Sequence, residues 1–106
     1  MNEKRQHLRD QLRDIVDAKS LKRGDFTLAS GAKSKFYFNL KETLFDPEGA
    51  NLIADLILDE IADDSAEFVG GLEMGAVPIA ACVAMRSAQI GRPLRGFYIR
   101  KQAKDH

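Results

Sequence analysis

Leu8, Leu12, Ile15 and Val16 recur at helical spacing with charged residues between them, so residues 2–18 read as an amphipathic helix with Gly24 marking its exit region. Two β-prone segments follow, Phe26-Thr27-Leu28-Ala29-Ser30 and Lys35-Phe36-Tyr37-Phe38-Asn39, flanking Gly31-Ala32-Lys33-Ser34 as the arms of a hairpin flank its turn. Alternation along the second arm sends Phe36 and Phe38 to one face and Tyr37 to the other, leaving at least one ring away from the main core. Asp46-Pro47-Glu48 is a helix start: a capping side chain, a proline where a missing N–H costs nothing, and an acid at the positive end of the helix dipole. The helix it opens runs from 47 to about 62 and buries Leu52, Ile53, Leu56, Ile57 and Ile61.

Further on, Phe68-Val69 reads as a short buried strand ending in a flexible Gly70-Gly71 turn. Pro78 then opens an alanine-rich helix over 79–89, which Gly91-Arg92-Pro93 stops. Leu94 to Arg100 is the next strand, so 67–100 form a strand–helix–strand unit whose crossover implies parallel strands. The class is α/β, without repeats, low-complexity tracts or linkers, and residues 1–106 read as a single domain. The chain stops three to six residues past a strand, whereas a doubly wound sheet carries more strands with helices on both faces, so the pattern is that of part of a domain.

Charge changes the picture more than composition does. The net charge is zero, with 16 bases and 16 acids, which gives no global field favouring nucleic acid. Along the chain that zero resolves into +5 over 1–41, −10 over 42–73 and +5 over 74–106. The acids of the middle block alternate with apolar positions as a solvated helix face requires, whereas Arg100, Lys101, Lys104 and His106 crowd into seven residues. One cysteine, Cys82, excludes an internal disulfide framework and a cysteine-rich zinc site. No stretch approaches the roughly 18 apolar residues of a membrane-spanning helix, and Met1-Asn2-Glu3-Lys4-Arg5 lacks the apolar run of a signal peptide, so a cytoplasmic location is expected.

Three segments are candidates for chemistry. Gly70-Gly71-Leu72-Glu73-Met74-Gly75-Ala76-Val77-Pro78 leads from a strand into a helix, where glycines allow close approach and unpaired amides could hold phosphate or pyrophosphate. It is neither G-x-G-x-x-G nor a Walker A sequence, a tight turn without ligand fits the spacing equally well, and Glu73 opposes an anion unless it points away. The basic stretch Arg100 to His106 suits closure over a polyanionic leaving group, with a solvated charge run as the plain alternative. The rings of Phe36-Tyr37-Phe38 can stack on a flat heterocycle or simply pack, and Cys82 reads as a small core hydrophobe.

Taken together, Gly24-Asp25-Phe26-Thr27-Leu28-Ala29-Ser30-Gly31, Phe36-Tyr37-Phe38-Asn39, Val69 through Pro78 and Arg100-Lys101-Gln102-Ala103-Lys104-Asp105-His106 closely resemble the orotate phosphoribosyltransferases, over essentially the whole chain. The resemblance implies a partial phosphoribosyltransferase-type parallel sheet with flanking helices, preceded by an N-terminal helix and β-hairpin: a hood over 1–45 and the start of the α/β core over 46–106. It implies transfer of ribose 5-phosphate from phosphoribosyl pyrophosphate to orotate, giving orotidine 5′-monophosphate and pyrophosphate for pyrimidine synthesis, with magnesium accompanying the pyrophosphate rather than held by a protein cluster. By position, Tyr37 and Phe38 match the aromatic pair along the orotate ring, and Glu73-Met74-Gly75 match the pyrophosphate loop. Arg100, Lys101, Lys104 and His106 match a mobile catalytic loop that reaches into the neighbouring subunit's site, which implies a homodimer.

Three departures accompany the resemblance. Many members carry lysine where Ala29 and Met74 stand here. The family's phosphoribosyl signature, a hydrophobic strand ending in two acids and a threonine–glycine-rich loop, has no counterpart in these residues, and the later residues that bind orotate's carboxylate are absent. The expectation is therefore the N-terminal half of such an enzyme, inactive alone, with an unpaired sheet edge and uncovered apolar surface. The alternative is a non-catalytic anion-binding or dimerisation fragment of the same fold.

Overall fold

The computed structural model describes residues 2–103. Helix α1 (Glu3–Lys19) starts where the Asn2 side chain accepts from the Arg5 amide and ends at Ser20. Strands β1 (Leu21–Thr27) and β2 (Lys33–Phe38) pair antiparallel, from Leu21 opposite Phe38 to Thr27 opposite Lys33. One turn of helix, α2 (Lys41–Leu44), and helix α3 (Pro47–Glu60) follow. Strand β3 (Phe68–Leu72), helix α4 (Ala76–Gln89) and strand β4 (Arg95–Ile99) complete the described chain, with β3 and β4 parallel. The α/β class, a hairpin and the strand–helix–strand unit are as the sequence pattern implied, but the hairpin's arms lie at 21–27 and 33–38 instead of 26–30 and 35–39, and Phe68, expected in a buried strand, is exposed.

Asp46 caps α3 as its sequence context requires, accepting from the Gly49 amide at 2.9 Å while Lys19 of α1 sits 3.2 Å from its other oxygen. These contacts, the amide first, hold the Asp46 carboxyl below the usual carboxylate range. Gly49 is required by packing: a Cβ there would lie 2.2 Å from the Thr43 carbonyl oxygen. Beside it the buried hydroxyls of Ser20 and Thr43 are 2.5 Å apart, so the ends of α1 and α2 close on each other.

The core lies between α3, α4 and the lead into β4, where Ala54, Leu58, Val83 and Leu94 cluster with Ile57, Ile61, Val69, Ile79 and Cys82 around them. Ser87 is fully buried and is satisfied twice, its Oγ donating to the Ala84 carbonyl and accepting from the Leu94 amide. Arg92 donates to the Ile61 and Asp64 carbonyls, which fixes the turn from α4 to β4 against the end of α3. The radius of gyration is 15.9 Å, against roughly 13 Å for a compact domain of about this length. The hairpin contributes to the difference, since outside its own pairing it packs chiefly on α1 rather than on the core.

Several local expectations change. Gly24 is not a helix exit: α1 ends five residues earlier and Gly24, at φ +156°, sits inside β1 where the register with β2 shifts between Arg23 and Phe26. Pairing with β2, not the polar Lys22-Arg23-Gly24-Asp25 pattern, makes this stretch a strand. Gly70 and Gly71 are not a flexible turn but the interior of β3, opposite Phe97 and Tyr98. A Cβ on Gly70 would meet the Phe97 carbonyl oxygen at 2.2 Å, and one on Gly71 would meet the Ala76 Cβ at 3.1 Å, so both glycines serve close packing. Helix α4 begins at Ala76 with Pro78 in its first turn, and α2 has no counterpart in the pattern reading. In α3, Leu52, Ile53, Ala54 and Leu58 are buried whereas Leu56, Ile57 and Ile61 are half-buried.

Candidate active site

The register of β3 and β4 builds the site. Leu72 pairs with Ile99, so the two strands end level and the segments that follow leave the sheet side by side. One of these is the bend Glu73-Met74-Gly75; the other is the basic segment starting at Arg100. The carboxyl ends of parallel strands are where α/β proteins place their ligands. The bend is stitched to its neighbour, the Glu73 amide donating to the Ile99 carbonyl at 2.9 Å and the Glu73 Oε1 accepting from the Lys101 amide at 2.9 Å. The Glu73–Met74 peptide bond is cis.

Directly after the bend, α4 begins at Ala76 with Gly75 as an N-cap that supplies no side-chain hydrogen bond, which leaves the positive end of a 14-residue helix facing the same corner. The Val77 amide returns to the Met74 carbonyl. Met74 is 71% exposed at the tip of the bend. It lines a cleft of about 520 Å³ together with Gly75, Val77 and Pro78 on one side and Phe38, Leu40 and Phe45 on the other. This cleft brings the end of the hairpin up to the bend, joining Phe38 to Met74 and Gly75.

The aromatic pair divides. Phe38 is exposed toward the cleft, whereas the Tyr37 ring packs on Phe26 across the hairpin with centroids 5.6 Å apart. Phe36 lies under the Arg23 guanidinium at 5.8 Å. Around them, Lys33 donates to the Thr27 hydroxyl and Lys35 pairs with Asp25, so these lysines are engaged within the hairpin.

At the basic segment, the Arg100 guanidinium stands over the Tyr98 ring at 5.5 Å and donates to the Tyr98 hydroxyl at 3.0 Å. Lys101 is exposed and its backbone is held by Glu73. Lys104 and His106 lie outside the described residues. Sequence reasoning missed the Glu73–Lys101 contact and the Tyr98 perch for Arg100. Both follow once β3 and β4 are placed in register, a relation that spacing alone does not specify. Among the described residues no group of three or more His, Cys, Asp or Glu side chains could hold a metal ion, and no helix is long and apolar enough to cross a membrane.

No family model matches the chain. The fold is nonetheless that of the phosphoribosyltransferases: a solved phosphoribosyltransferase from Corynebacterium diphtheriae superposes with a TM-score of 0.75 at 27% identity, covering 94% of this chain and 54% of that one. Within that class the chain is similar to orotate phosphoribosyltransferases. The Mycobacterium tuberculosis H37Rv orotate phosphoribosyltransferase superposes with a TM-score of 0.81 at 33% identity, over 93% of this chain and 55% of that one. In sequence, the orotate phosphoribosyltransferase of Rhodopseudomonas palustris (strain BisB18) is 50% identical over 98 residues, which are 92% of this chain and 52% of that relative. The resemblance read from the motifs therefore holds along almost the whole chain, and the chain spans about half the length of the curated relatives it matches.

Proposed function

We propose that these residues form part of an enzyme that transfers ribose 5-phosphate from phosphoribosyl pyrophosphate to orotate, giving orotidine 5′-monophosphate and pyrophosphate in pyrimidine synthesis. In this reading residues 1–45 are the hood and 46–106 the start of the α/β core. The observation that carries the reading is the level ending of β3 and β4, Leu72 opposite Ile99, which sets the amide-lined bend beside the basic segment. The similarity to orotate phosphoribosyltransferases directs the choice of base.

The chemistry asks for such an arrangement. Breaking the anomeric carbon–oxygen bond leaves a cation-like ribose and a diphosphate whose negative charge grows in the transition state. Main-chain amides of Met74 and Gly75 at the entry to α4 are fixed donors for that charge and need no reorganisation as it develops, the Glu73 amide being held by the Ile99 carbonyl. Arg100, Lys101 and Lys104 neutralise the departing diphosphate, and His106 donates it a proton or hydrogen bond. Phe38, which faces the cleft, lines the flat orotate ring, and Tyr37 joins it only by leaving its packing on Phe26. The bend offers amides and the adjoining segment offers cations, donors suited to an anion, so magnesium would be held by phosphoribosyl pyrophosphate rather than by a cluster of these side chains and would supply charge neutralisation. A cytoplasmic homodimer, with the basic segment reaching the neighbouring subunit's site, completes the reading.

The test is to mix the full-length gene product with orotate, phosphoribosyl pyrophosphate and magnesium and to follow orotate absorbance. Orotate should be consumed with stoichiometric pyrophosphate, and the isolated 106-residue chain should consume none. A full-length protein that leaves orotate untouched while using another base would overturn the assignment. Unchanged turnover in His106→Ala would remove the role given to that imidazole.

A further inference from the structure

An acid in a diphosphate-binding turn is an electrostatic contradiction, and the position of Glu73 resolves it. Its carboxylate is not directed at free space above the bend: Oε1 accepts from the Lys101 amide at 2.9 Å, while the residue's own amide donates to the Ile99 carbonyl at 2.9 Å. Glu73 thus grips the neighbouring chain on both sides of Arg100, once through its backbone and once through its side chain. The β3–β4 ladder has its last pair at Leu72 and Ile99, so without the side-chain contact the backbone beyond Arg100 would leave the sheet unheld by it. With that contact, the root of the basic segment is pinned to the turn whose amides face the same corner.

We propose that Glu73 is a positioning residue: its carboxylate clasps the Lys101 amide and sets the point at which the chain after Arg100 leaves the sheet beside the bend. The clasp rests on the transferase reading above. It spends the acid's hydrogen-bonding capacity on a backbone N–H, which turns part of its negative charge away from the anion. It also fixes Arg100 between two held neighbours, with its guanidinium resting on Tyr98. What the contact requires is an acceptor oxygen at the end of a two-carbon stem, not a negative charge. Glutamine meets that requirement; alanine does not.

The experiment compares Glu73→Ala and Glu73→Gln in the full-length protein by amide-resolved hydrogen exchange, thermal melting and steady-state kinetics. Glu73→Ala should speed exchange of the Lys101 amide about tenfold with Ile99 and the core amides unchanged. It should lower kcat/KM for phosphoribosyl pyrophosphate about tenfold, since a displaced loop root misplaces the groups it carries, while the KM for orotate and the melting temperature stay put. Glu73→Gln should restore both the protection and most of the rate. Unchanged Lys101 exchange in Glu73→Ala would overturn the proposal. So would a glutamine variant as impaired as alanine, because that pattern assigns the carboxylate's charge to substrate or magnesium directly. A general loss of protection in both variants would make Glu73 merely structural and would also overturn it. In a protein without orotate turnover the exchange comparison still decides the clasp, so its failure is distinguishable from failure of the transferase reading.

Discussion

The two strand pairs of this molecule are held by different forces. The parallel pair β3–β4 is backed by α4 and by the cluster of Ala54, Leu58, Val83 and Leu94, and Gly70 within it is enforced by the Phe97 carbonyl oxygen, which leaves no room for a Cβ. The antiparallel pair β1–β2 stands away from that core. Its side contacts are Phe26 on Tyr37, Arg23 on Phe36, Lys33 on Thr27 and Lys35 with Asp25, most of them in solvent. The first pair therefore has one permitted geometry, and the second has a geometry that its own surface side chains and the hairpin ladder maintain. On the proposed transferase reading, a fixed platform suits a bend presenting amides to an anion, and a loosely supported hairpin suits a hood over the site.

Substitution can break or sharpen this contrast. The largest effect should come from Gly70→Ala, because the new Cβ would lie 2.2 Å from the Phe97 carbonyl oxygen. Forcing β3 from β4 should cost roughly 3 kcal/mol or more in urea denaturation. Leu58→Ala, which opens a hole in the core beside Val83, should cost about 3 kcal/mol in the same measurement. In the hairpin, Gly31→Ala meets no atom within 4 Å and suffers only from its φ of +88°, at a cost of about 1 kcal/mol. Acid should separate the regions more gently. Asp46 has a carboxyl pKa lowered in the folded state, first by the Gly49 amide and then by Lys19. Its contribution is complete above the ordinary carboxylate pKa and is lost as pH falls through the depressed folded value, so Asp46→Ala should flatten the acid limb of the melting-temperature profile. Phe36→Ala should be nearly silent, within about 0.5 kcal/mol by denaturation, since the ring is half in water. A Phe36→Ala cost equal to that of Leu58→Ala would erase the distinction between platform and hood.

Legibility in the sequence followed the range of the interaction. The start of α3 at Asp46-Pro47 was readable because a cap, an N1 proline and an acid act within one turn. The helical period of α1 and the crossover β3–α4–β4 were readable for the same reason, and so was the resemblance carried by the Val69–Pro78 and Arg100–His106 motifs. Gly70-Gly71 was misread because a glycine pair signals freedom in the sequence, whereas here it marks where Phe97 and Ala76 approach. Gly24 was misread because nothing local distinguishes a helix exit from a bulge against β2.

What the residues determined alone was the order of elements, the capping of α3, the clustering of cations after the last strand and the kinship of the chain. What only the tertiary structure decided was register: Leu72 beside Ile99, Glu73 on the Lys101 amide, Phe38 across a cleft from Met74. Periodicity and capping arise between residues a few positions apart, so they are written in the chain itself. Register is a choice among pairings of segments more than twenty residues apart, made by the packing of α4 against both strands, and it exists only once that packing has formed.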